Sequence, residues 1–150
     1  MTYKERTIAV TLVSYSLIMV FFLIRLFQIV LAGGFDTTNV FRLWGTVIAL
    51  AIIVTILATI LTNIGSRIIH AVKTKGKPSI EDLQDERDQS IDLRGTKVSY
   101  FTSMIGIPLS MVTYVLGQPS LVMFTMLIFF GFAAQILGDI TRLYLYRRGF

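Results

Sequence analysis

The run IAVTLVSYSLIMVFFLIRLFQIVLA, Ile8–Ala32, decides the fold. One charge, Arg25, interrupts it. About 20 apolar residues suffice to cross the hydrocarbon core of a bilayer, which is about 30 Å thick. No water is present there to satisfy backbone N–H and C=O groups, so such a segment must close its own hydrogen bonds, as a helix does. Three further runs have the same character: LWGTVIALAIIVTILATILTNI at Leu43–Ile64, VSYFTSMIGIPLSMVTYVL at Val98–Leu116 and LVMFTMLIFFGFAAQILGDI at Leu121–Ile140. They account for a chain that is 54% hydrophobic, against roughly 45–50% in soluble domains. The first run is too long for a cleaved leader, and no A-x-A site follows it. The sequence therefore predicts an all-α polytopic membrane protein of one domain. Its four transmembrane helices fall at about 8–32, 43–64, 98–116 and 121–140, with a polar arm at 65–97.

The charges give the orientation. Of the 14 basic residues, all but Arg25 and Arg42 lie before the first run, between the second and third, or after the fourth. The positive-inside rule then places both termini and the arm in the cytoplasm, in an inner cell membrane. The same asymmetry explains the net charge of +5 without a nucleic-acid partner. Membrane lipid is the expected surrounding, and small residues four apart (Gly45 and Ala49, Gly106 and Ser110, Ala134 and Gly138) suit close helix packing, internal or between copies. Pro108 is expected to kink the third helix, since it removes a backbone donor.

Four polar residues lie inside the apolar runs. Arg25 and Gln28 sit toward the outer end of the first helix, where the arginine stem can snorkel to the interface or meet phosphate head groups. Gln135 and Asp139 lie on the fourth helix, with Arg142 three residues beyond Asp139 as its natural helical neighbour. No acid stands at mid-depth, which argues against a carrier that depends on a central carboxylate.

In the arm, Ser79 followed by Asp82 resembles a capping box and starts an amphipathic helix at Ile80 that leads into helix three. Glu81, Asp85, Asp88 and Asp92 form an acidic stripe on it, and Ile80, Leu83, Arg87, Ile91, Arg94 and Val98 form another face. Three readings stay open: weak binding of Mg²⁺ or Ca²⁺, a docking surface for basic segments or a partner protein, and a solvated face. Cysteine is absent and His70 is the one histidine, so thiolate chemistry is excluded; no HExxH, phosphate loop or Ser–His–Asp set is present. No cofactor or enzymatic activity is expected.

The stretches DERDQSIDLRGTKVSYF and YLYRRGF together resemble a family of small prokaryotic four-helix membrane proteins. That family carries a cytosolic D-E-R motif before helix three and a Tyr-x-Tyr-Arg-Arg-Gly end. The matching positions are Asp85, Glu86, Arg87, Ile91, Tyr144, Tyr146, Arg147, Arg148 and Gly149. The resemblance implies the same topology and a regulatory or immunity role. The concentration of charge on one face points to partner binding through Glu81, Asp85, Glu86, Arg87, Asp88, Asp92, Arg147 and Arg148 on the cytoplasmic side. The competing expectation is a small oligomeric channel or transporter that uses Arg25 to attract anions.

Overall fold

The computed structural model describes residues 3–73 and 86–148. Four helices make up these residues: α1 (Tyr3–Leu31), α2 (Thr37–Lys73), α3 (Glu86–Val115) and α4 (Ser120–Arg148). Each is long and apolar enough to cross a membrane. All four begin or end several residues outside their apolar runs. At 1.5 Å per residue, the 30 residues of α3 and the 29 of α4 run roughly 45 Å, about 15 Å more than a hydrocarbon core. Their polar ends therefore project beyond it. The proposed cap at Ser79, Glu81 and Asp85 lie outside the described residues.

Two turns of one design reverse the chain. After α1, Gly33 adopts a φ of 66°, its N–H bonds Val30 O at 3.1 Å, and Gly34 N–H bonds Ile29 O at 3.0 Å. After α3, Gly117 has a φ of 83°, with Gly117 N–H to Tyr114 O at 3.0 Å and Gln118 N–H to Thr113 O at 3.1 Å. Both are Schellman motifs, which satisfy the last carbonyls of a helix and require a left-handed residue that glycine supplies without a Cβ clash. We call this the turn end of the molecule and its opposite the charged end.

The helices do not enclose a common centre. The α4 backbone packs against all three others and α1 against α2, whereas α3 approaches α4 alone among the described residues. The main core joins Ile18 and Phe22 of α1, Val40, Leu43, Trp44 and Val47 of α2, and Phe132 of α4. These positions recur at three- and four-residue intervals, as one stripe of a helix must. A second core of Ile91, Leu145 and Tyr146, with Ile8 against it, lies at the charged end. Elsewhere large apolar side chains face outward, from Leu17 and Phe27 of α1 to Ile105 and Tyr114 of α3. A surface so apolar suits lipid rather than water.

The α3–α4 seam depends on missing side chains. A Cβ on Gly106 would collide with the Phe130 ring, and one on Gly138 would meet the Ser99 hydroxyl and lie 3.1 Å from Gly95 O. By contrast, Gly45 has open space around its Cβ position, so the α2 pair Gly45 and Ala49 is not part of the internal packing. Helix α3 continues as a helix through Pro108.

Candidate functional site

The charged end gathers the first turn of α1, the first three turns of α3 and the last four turns of α4. Helical spacing places Asp88, Ile91, Asp92, Gly95 and Thr96 of α3 along one side, facing Asp139, Arg142 and Tyr146 of α4. Two small networks result.

In the first, Asp88 accepts from Lys4 Nζ at 2.8 Å through Oδ2 and from the Tyr146 hydroxyl at 2.9 Å through Oδ1. Three helices thus meet at one carboxylate. Burial works to raise the Asp88 carboxyl, but hydrogen bonds from Lys4 and Tyr146, with the Lys4 and Arg87 charges, outweigh it and hold the group below its usual value. The Tyr146 phenol moves the other way. Burial and then the adjacent Asp88 carboxylate push it far above the ordinary value, so it remains a donor throughout the physiological range. Both groups lie beyond the apolar runs 98–116 and 121–140.

In the second, Arg142 is the hub. Its Nη1 donates to Asp139 Oδ1 at 2.8 Å, Nη2 to Thr96 Oγ1 at 3.0 Å, and Nε lies 3.4 Å from Asp92 Oδ1. Gln135 Nε2 donates to the other oxygen of Asp139 at 3.1 Å. Asp139 is only 3% exposed, so its charge is affordable only because both oxygens are occupied. The absent side chain of Gly95 leaves the channel through which the Arg142 stem reaches these partners.

The residues singled out in the sequence thus fall into separate places. Asp88 turns to Lys4 and Tyr146, and the exposed Asp92 meets Arg142 through one oxygen; Gln135 and Asp139 join the same end. Arg87 and Arg147 are exposed, and Arg148 bonds the Tyr144 hydroxyl at 3.1 Å with its guanidinium 5.8 Å from the ring centre. Arg25 and Gln28 are at the turn end, joined at 3.3 Å. Glu86 opens α3, while Glu81 and Asp85 are outside the described residues. The Asp139–Arg142 pair follows from helical spacing. Lys4, Thr96 and Gly95 were missed, because their roles come from neighbours distant in sequence.

Hydroxyls within the apolar runs of α2 and α3 are used locally. Thr113 donates to Ser110 O at 2.6 Å and Thr55 to Ala51 O at 2.8 Å, the usual habit of hydroxyls in membrane helices. Thr55 also meets the Tyr15 hydroxyl at 2.6 Å, tying α1 to α2. No group of three metal-ligating side chains occurs among the described residues. Comparison of the chain with protein-family models, curated proteins and solved structures gives no match.

Proposed function

We propose that this chain is a non-enzymatic membrane protein that works by binding a protein partner at its charged end, the end its charge asymmetry assigns to the cytoplasm. One observation carries this reading: three carboxylates of that end are engaged within the chain. Asp88, Asp92 and Asp139 are each paired with cations of the same chain. Arginines face outward there, with Arg87, Arg147 and Arg148 exposed, while Asp92, itself exposed, is already paired with Arg142. A partner should therefore present an acidic surface, for which charge complementarity sets specificity and encounter rate. The family resemblance carried by Asp85–Arg87 and Tyr144–Gly149 fits a regulatory or immunity role for such docking.

The test places a photo-crosslinking residue at position 87 or 147 in cells and identifies the adducts by mass spectrometry. A discrete adduct that vanishes in Arg147→Glu/Arg148→Glu, with helical content retained, supports the reading. Adducts unchanged by that charge reversal would overturn it. The channel reading has less support, because mid-depth side chains such as Phe22, Val47 and Phe132 pack into a buried apolar core. A conducting path would have to form between copies, and anion flux from liposomes that is lost in Arg25→Leu would restore it.

A further inference from the structure

At the turn end, between α1 and α2, lies a cleft of about 390 Å³ lined by Arg25, Gln28, Gly34, Asn39, Arg42 and Thr46 among others. Arg25 stands six residues before the end of α1 and Arg42 five after the start of α2. With a rise of 1.5 Å per residue, both lie roughly 8–9 Å from the turn, at one level. The smaller polar groups are already committed: Asn39 Nδ2 donates to Gly34 O at 3.2 Å and Thr46 Oγ1 to Arg42 O at 2.8 Å. Gln28 Oε1 accepts from Arg25 Nη1 at 3.3 Å, and the Arg25 guanidinium lies 5.9 Å from the centre of the Phe21 ring. No carboxylate lines the cleft; Asp36, in the adjoining turn, is not among its walls. Among the described residues, neither arginine forms an ion pair.

Two permanent cations sharing an acid-free cleft repel each other, and an anion between them removes that cost. The fork of a guanidinium matches the oxygens of a phosphate, and two forks can hold one group from two sides. A liquid water occupies about 30 Å³, so the cleft has room for a phosphate together with the glycerol or sugar it esterifies. The cleft lies near the ends of apolar helices, from where an arginine stem can snorkel to lipid phosphates. We infer that this cleft binds a phosphate group through Arg25 and Arg42, the chemistry shared by an anionic lipid head group and a free phosphate.

The full chain in a maltoside detergent would be titrated separately with inorganic phosphate and with a short-chain phosphatidylglycerol. The readouts are melting temperature and the fluorescence of Trp44, the one tryptophan, whose neighbour Leu43 lines the cleft. A saturable rise in melting temperature is expected with at least one ligand. Response to the lipid alone identifies a head-group site, and an equal response to both identifies a free-anion site. Arg25→Gln and Arg42→Gln should each weaken binding about tenfold or more, while Arg148→Gln at the far end should not. On the unaltered protein, sulfate should compete wherever inorganic phosphate binds, and a short-chain diacylglycerol should not bind in either case. No saturation with either ligand, or glutamine variants that bind as the parent does, would overturn the inference.

Discussion

At the scale of single residues, Arg142 carries the largest share of the charged end. Its three partners belong to two helices, and one of them, Asp139, is almost wholly buried. Arg142→Ala leaves that carboxylate without its cation and should cost about 3–5 kcal/mol, read from unfolding in mixed micelles. Arg142→Lys should restore little, since an ammonium cannot span all three acceptors. Asp88 gives a pH dependence. Its folded-state pKa lies below the unfolded value of about 3.8, so its contribution is complete at neutral pH and is lost as the pH falls through the folded value. Carboxyl NMR should place the Asp88 midpoint below that of a free aspartate, and Lys4→Met should move it upward. Lys4 is 40% exposed, so the same change should alter stability by no more than about 1 kcal/mol.

At the scale of elements, glycine substitutions separate the packed seam from the open face. Gly106→Ala and Gly138→Ala push against the base of the Phe130 ring and against Ser99 with the α3 backbone. Each should lower stability by about 1–3 kcal/mol. Gly45→Ala meets nothing and should be neutral or stabilising by up to about 1 kcal/mol, because alanine restricts the unfolded chain. Thermal melts of the three variants in one detergent suffice. The same elements show what could be read from the sequence. Hydropathy locates the apolar centre of each helix because lipid selects side chains there. It does not locate the ends: α1 begins at Tyr3 rather than near Ile8, and α4 runs to Arg148 rather than ending near Ile140. Once started, a helix gains one bond per added residue whether or not that residue is apolar. Spacing of three and four also revealed the Gly106/Ser110 and Ala134/Gly138 contacts and the Asp139–Arg142 pair. The Lys4–Asp88–Tyr146 junction spans nearly the whole chain, and no local pattern encodes it.

At the scale of the whole molecule, the arrangement is open: α4 is central, the α3 backbone packs on it alone among the described residues, and α1 reaches α3 through side chains at the charged end. Because the chain has no cysteine, introduced pairs report this cleanly. Ser99→Cys with Gly138→Cys should cross-link within one molecule under mild oxidation, as the two positions meet across the seam. Ile48→Cys with Ile105→Cys, both exposed on α2 and α3, should not. Intramolecular cross-linking of the second pair would mean that the helices close into a ring.

The position of α4 also sets an order of assembly during synthesis. The residues that α1 and α3 need at their shared end come last, since Tyr146 follows Asp88 by 58 residues. At about 5–20 residues per second, Asp88 waits roughly 3–12 s for the phenol, and the seam glycines of α3 wait for Phe130 and Gly138. Until then α1 and α2 can pair through Tyr15 and Thr55, while α3 lacks the helix its backbone packs against. A ribosome stalled before Ser120 would leave a nascent chain with one finished hairpin and one helix short of its main packing surface, the form that membrane quality control should recognise and remove.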